Sequence, residues 1–126
     1  MRILACGDRH WHDKKRIKEV LSHWHWEEGD ILVHGACEGA DIIANAAAIE
    51  LDILTEAHPA DWSKYGKAAG PIRNKEMLKS GLDMVIAFHN DLNSSRGTRD
   101  MIKQALKAKI PVMLATDHDY YEIKEI

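Results

Sequence analysis

Two cysteines in 126 residues give this chain almost no covalent or metal-binding frame. Cys6 and Cys37 have neither disulfide nor metal-ligand spacing, so reduced thiols are expected. Long apolar runs are missing as well: no stretch reaches the length that crosses a bilayer, and the N-terminus has no secretory apolar region. The expected compartment is the cytoplasm. There is no basic excess either. Lys and Arg number 17 against 20 Asp and Glu, a formal net charge of -3, which argues against nucleic acid as a partner because duplex binders display a clustered basic surface. The one basic run, Lys14-Lys15-Arg16-Ile17-Lys18, opens an expected helix and reads as a solvated face. With no repeats, low-complexity tracts or linkers, residues 1–126 fit one domain with a real core.

The eight histidines do not supply a metal site by spacing. His10-x-His12 and His23-x-His25 have the two-residue step of a strand face, and the second pair falls in an expected helix. Cys6, His34 and Cys37 come from neighbouring strand ends but share no ligand pattern, so neither a metal nor another cofactor is expected.

What is present is an alternation of short apolar runs and helical segments. Arg2 to Cys6 reads as a strand ending at Gly7-Asp8-Arg9, and Asp13 caps a helix running toward Trp26. Ile31 to Val33 is the second strand. It breaks into His34-Gly-Ala-Cys-Glu-Gly39 and then an alanine-rich helix, a turn that leaves unpaired N–H groups where an anion can sit. Ile53 to Ala57 is the third strand, closed by His58-Pro59. Asp61 to Pro71 reads as a glycine-rich loop, Ile72 to Lys79 as a helix, and Met84 to Phe88 as the fourth strand. A polar loop from His89 to Arg96 and the pair Gly97-Thr98 lead into a helix over 99–109. Ile110 to Leu114 is the fifth strand, and Asp117 to Ile126 gives no clear signal. The alternation predicts right-handed crossovers and a parallel sheet with helices on both faces, with ligands bound beyond the carboxyl ends of the strands.

Five ordered blocks stand at those ends: Gly7-Asp8-Arg9 with Trp11 close behind, His34-Gly-x-x-x-Gly-Ala-Asp41, His58-Pro-Ala-Asp-Trp62, Ala69-Gly-Pro-x-Arg-Asn74 and Gly97-Thr98. In them the chain resembles the SLOG superfamily, the Rossmann-like group containing Smf/DprA and LOG proteins, and specifically its YspA-like branch. The resemblance implies a five-stranded parallel sheet of order 3-2-1-4-5, a nucleotide or nucleotide-like ligand at the switch point, and a homodimer. LOG enzymes hydrolyse the N-glycosidic bond of nucleoside monophosphates with a Pro-Gly-Gly-x-Gly-Thr-x-x-Glu motif and an Arg-Lys-x-x-Met motif. Arg73 and Met77 match the second. In the first, Asn93, Ser94 and Ser95 replace Pro-Gly-Gly, and Met101 stands where the glutamate belongs. Methionine neither moves a proton nor stabilises an oxocarbenium-like centre. Asp100 is one residue earlier, roughly 100° around the helix.

The site expectations follow. Arg73, Ser94, Ser95, Arg96, Gly97 and Thr98 hold phosphate, with Ser95 or Thr98 doubling as a helix cap. Arg73 recognises charge without being needed by the fold, or else pairs with Asp41 or Asp61. Gly7, Asp8, Arg9, His34, Gly35, Gly39, Asp41 and Asn74 shape the sugar and base side. Asp41 accepts hydrogen bonds from a ribose or base, or compensates its helix dipole. Trp11 and Trp62 are available to stack on a base, whereas Trp24 and Trp26 suit a core or dimer surface. The first functional reading is a sensor or sequestering module for a phosphate-bearing nucleotide. The rival is a hydrolase using Asp8, Asp41 or Asp100 as its carboxylate, and single-stranded DNA binding stands third.

Overall fold

The computed structural model describes residues 1–126. Strands β1 (Arg2–Gly7), β2 (Ile31–His34), β3 (Leu54–Ala57), β4 (Met84–Phe88), β5 (Val112–Ala115) and β6 (Tyr120–Ile123) form one sheet of order β3-β2-β1-β4-β5-β6. The first five are parallel, and β6 returns antiparallel to β5. The helices are α1 (Lys14–Leu21), α2 (Ala40–Glu50), α3 (Trp62–Tyr65), α4 (Ala69–Lys79) and α5 (Arg96–Lys107).

Strand alternation assigns the two cores. On β1, Ile3 and Ala5 face α1 and α2, while Leu4 and Cys6 face α4 and α5. All five residues of β4 are buried, as a strand covered on both faces requires. Asp13 caps α1 by accepting from the Arg16 N–H at 3.0 Å.

Four expectations are corrected. The sheet has six strands and is mixed, because the tail turns back at Thr116, whose hydroxyl accepts the His118 and Asp119 N–H groups. Tyr120 anchors that return: its hydroxyl accepts the Trp24 indole N–H at 3.1 Å, and His23 stacks on its ring. Helix α1 stops at Leu21 instead of running toward Trp26, since the Trp26 indole N–H takes the Leu21 carbonyl and Ser22 takes that of Lys18. The segment from Asp61 to Pro71 is helical rather than loop. Asp61 caps α3, a 3₁₀ turn covers Gly66–Ala68, and Pro71 falls in the first turn of α4, where a missing N–H costs nothing. Trp11 is a core residue, 6% exposed, edge-on to Phe88 and donating to the Asp13 carbonyl, so its ring is not open to a base.

Smaller shifts occur at two boundaries. Helix α5 begins at Arg96, which puts Gly97 and Thr98 inside its first turn, and β5 begins at Val112, after Pro111.

Candidate functional site

Beyond the carboxyl ends of the strands lies a cavity of about 790 Å³, a size ordinary for a small-molecule site. It spans the point where the chain order reverses, with β1 between β2 and β4. From the end of β1 come Gly7, Asp8 and Arg9, and from the β2–α2 turn and α2 come Gly35 and Asp41. Helix α4 contributes Arg73 and Asn74, and the approach to α5 contributes Ser94, Ser95, Arg96, Gly97 and Thr98. His34, Gly39 and Asp100 are not on the wall. Cys6 and Cys37 are on it, as their place at neighbouring strand ends implies, and His10, Glu38, Met77 and His89 are on it without having been singled out as ligand contacts; the signal they offered was position just past a strand or along α4.

The β2–α2 turn is held from within. His34 Nδ1 accepts the Ala36 N–H at 3.0 Å, so the ring proton sits on Nε2 and is donated to Asn45 Oδ1 at 3.0 Å. Burial lowers the His34 pKa, which keeps the ring neutral. With both ring nitrogens committed, His34 shapes the turn and does not converge with Cys6 and Cys37 on a metal. Gly39 (φ 76) presses on the β1 exit loop, and the Ala40 N–H donates to the Asp8 carbonyl at 3.0 Å.

Arg73, 8% exposed, reaches this turn from α4. Nη1 donates to the Gly35 carbonyl at 2.5 Å and to the His58 carbonyl at 3.3 Å, Nη2 donates to Cys37 Sγ at 3.5 Å, and Nε donates to Asn74 Oδ1 at 3.0 Å. That occupies four of the five N–H groups a guanidinium carries. Arg73 forms no ion pair with Asp41 or Asp61. The expectation that the fold does not need it is therefore corrected: Arg73 ties the ends of β2 and β3 to α4, and one N–H is left over. Gly35 permits this, because a Cβ there would lie 2.4 Å from Arg73 Nη1.

Asp41, 5% exposed, sits in the first turn of α2. Its Oδ2 accepts the Gly35 N–H at 2.9 Å and the Cys37 N–H at 3.3 Å, while its Oδ1 has no partner in the chain. No fully buried side-chain oxygen lacks a partner, so Oδ1 is open to the cavity. Burial pushes the carboxyl up to about 6, against the opposing pull of the Cys37 N–H, the Arg73 cation and the Gly35 N–H. Ionised Asp41 thus costs the fold stability. Because the folded chain holds this proton to higher pH than the unfolded chain, the cost is absent below about pH 4, grows through about pH 6 and then levels off. Asp41→Asn, whose amide oxygen can keep both N–H bonds, is expected to be more stable than the wild type by about 1–3 kcal/mol at pH 7 and equal to it near pH 4. Urea unfolding of both proteins across that range measures the difference, and a pH-independent gap would contradict it.

At the start of α5, Ser95 precedes the helix but makes no side-chain cap to its backbone. Its hydroxyl donates to Thr98 Oγ1 at 2.9 Å instead, which leaves the Thr98 proton free. The first-turn N–H groups of Arg96, Gly97 and Thr98 have no helical carbonyl behind them. Ser94 Oγ is occupied with the Asp91 carbonyl. Asn74 Nδ2 fixes the turn from below through the Gly97 carbonyl at 3.3 Å and Asp100 Oδ2 at 2.9 Å. Asp100 also accepts from Gln104 at 2.8 Å, so it braces α4 against α5. Met101, 2% exposed, stands on the cavity wall.

A mostly parallel α/β sheet with a polar cavity at its switch point, walled by glycine turns and helix starts, defines a Rossmann-like domain. The chain belongs to the YspA, cpYpsA-related SLOG family, whose profile matches residues 1–65. That match covers β1 through α3, and with them the blocks at Gly7, His34 and His58. The chain is also similar to the gene 61 protein of Mycobacterium phage D29, with 39% identity over 119 residues, covering 89% of this chain and 94% of that protein. No solved structure matches.

Proposed function

We propose that the cavity binds a phosphate-bearing nucleotide or nucleotide derivative, and that the protein acts as a cytoplasmic sensor or sequestering module for it. The observation carrying this reading is the open first turn of α5 in the cavity wall, with three unpaired N–H groups, the free Thr98 hydroxyl proton and the exposed Arg96 beside them. An anion is what such a turn accepts. Membership of the SLOG family is consistent with a nucleotide-related role. Met101 in place of a carboxylate favours binding over cleavage, since nothing at that position stabilises a developing positive charge.

One observation favours the rival hydrolase: Asp41 has an oxygen open to the cavity, and burial raises its carboxyl to about 6, toward the range in which a general acid or base works. Titration calorimetry with nucleoside 5′-monophosphates, run beside an assay for released base, separates the two. The expected result is binding without base release, weakened about tenfold in a Ser95→Ala, Thr98→Val double variant. Robust base release abolished by Asp41→Asn would replace the binder with the enzyme.

A further inference from the structure

We propose that Asp41 is a specificity-determining residue whose Oδ1 accepts a hydrogen bond from a ring hydroxyl of the ligand's sugar, so that the cavity selects ribose-bearing over deoxyribose-bearing phosphate compounds. This rests on the nucleotide reading above and adds to it the class of sugar.

The other acidic groups of the site are either committed or open to water. Asp8 is half-buried and its Oδ1 accepts the His10 N–H at 2.9 Å. Glu38 is exposed, where water competes for any bond it makes. Asp100 lies off the wall and is held by Asn74 and Gln104. Asp41 alone combines more than nine-tenths burial with a carboxylate oxygen that has no protein partner and faces the cavity.

Such an oxygen is an acceptor only, so it needs a donor from outside the chain. A donor arriving there makes a charge-assisted bond in a poorly solvated place, which is where such a bond discriminates most. A ligand lacking the donor leaves the carboxylate desolvated and unpaired.

Position identifies the donor as a sugar hydroxyl. The anion-accepting turn of α5 follows β4, and Asp41 follows β2, two strands across the sheet with β1 between. Two strand spacings amount to about 10 Å along the sheet, and the offset between α2 and α5, which pack on its opposite faces, adds to that. A group that places its phosphate on α5 spans that gap with the pentose itself, one hydrogen bond being made at each end. The remaining part of the cavity runs toward Pro59, Ala60 and Trp62. Trp62 is 57% exposed, and its Cη2 would lie 3.4 Å from a Cβ on Gly70, so the indole rests on the start of α4 with the rest of its surface free. That leaves the base a flat apolar neighbour away from Asp41, and the exocyclic amines of a base are poorly placed to be its donor.

The experiment is calorimetric titration of the wild type and of Asp41→Asn with adenosine, guanosine, cytidine and uridine 5′-monophosphates and their 2′-deoxy and 3′-deoxy counterparts, with inorganic phosphate and ribose 5-phosphate as further probes. Wild type is expected to prefer the ribonucleotide over at least one deoxy counterpart by about tenfold or more, whichever base is attached. In Asp41→Asn the amide oxygen keeps the turn and an N–H₂ faces the cavity. The sugar preference is expected to fall to within about twofold, while inorganic phosphate binds as before and the melting temperature holds or rises.

A purely structural Asp41 would give the opposite signature, with a lower melting temperature and all affinities reduced by the same factor. Equal wild-type affinities for ribo- and both deoxynucleotides would overturn the proposal and leave the nucleotide reading standing. Discrimination that follows the base and not the sugar would likewise assign Oδ1 to an amine. No binding of any phosphate compound would remove the nucleotide reading itself. The wild-type ratio alone decides the matter if the variant does not fold.

Discussion

Arg73→Ala is expected to lose about 3–5 kcal/mol of stability through its lost carbonyl partners, a large share of what holds a domain of this size together. The guanidinium is buried, and its removal orphans the Gly35 carbonyl, strips one partner from the His58 carbonyl and leaves Asp41 without the nearby cation that favours its ionised form. Each unpaired buried polar group costs about 1–3 kcal/mol. Loss of nucleotide binding in this variant would therefore report a collapsed site more than a missing phosphate ligand. Urea unfolding at pH 7 checks it, with the slope against denaturant unchanged if the unfolded state is the same. A variant within about 1 kcal/mol of wild type would return Arg73 to the role of a free ligand-binding side chain.

Gly39→Ala is the second severe substitution, expected to cost about 2–4 kcal/mol. The residue has φ 76 and ψ -126, a conformation that side chains disfavour, and a Cβ there would lie 2.3 Å from the Asp8 carbonyl oxygen and 2.4 Å from that of Arg9. Both contacts are to backbone, so nothing flexible can give way. The β1 exit loop or the start of α2 has to move, and the cavity wall moves with it. Gly97 supplies the contrast within the same measurement. It has no positive φ, and a Cβ there would meet no atom within 4 Å, so Gly97→Ala is expected to fold as well as wild type. Thermal unfolding of the two variants should differ by many degrees. Similar melting temperatures would show that the turn at Gly39 relaxes freely.

The parts of this fold readable from the residues are those where one strong local pattern decides. Met84 to Phe88 and Ile3 to Ala5 are continuous apolar runs between turns, and both are central buried strands. Asp117 to Ile126 carried no such pattern because β6 is an edge: only Tyr120 and Ile123 are partly buried, and its position depends on Trp24 and Arg16, about 100 residues away. Gly66, Gly70 and Pro71 suggested a loop by composition, yet glycine and proline are tolerated in a first turn and at a helix junction. The candidate site divides in the same way. Spacing identified the turns that meet at the cavity, since a residue just past a strand reaches the carboxyl end in any parallel sheet. It did not reveal what each side chain does there. Arg73 looked like a ligand for phosphate because charge was all the sequence displayed, and its carbonyl partners, on Gly35 and His58, lie 38 and 15 residues away. Trp11 looked available because Phe88, which covers it, comes from β4, 88 − 11 = 77 residues away.

The register of β1 against β4 also sets a timetable. Ile3 aligns with Met84, an interval of 84 − 3 = 81 residues, so on a ribosome adding about 5–20 residues per second, β1 waits roughly 4–16 s for its second neighbour. Through that interval one flank of the central strand has no partner, and the crevice between the two strand ends does not exist. The nascent chain therefore has no place to hold a small molecule until after β4 emerges, because even the turn at Gly7 waits for Phe88, whose carbonyl accepts the Asp8 N–H.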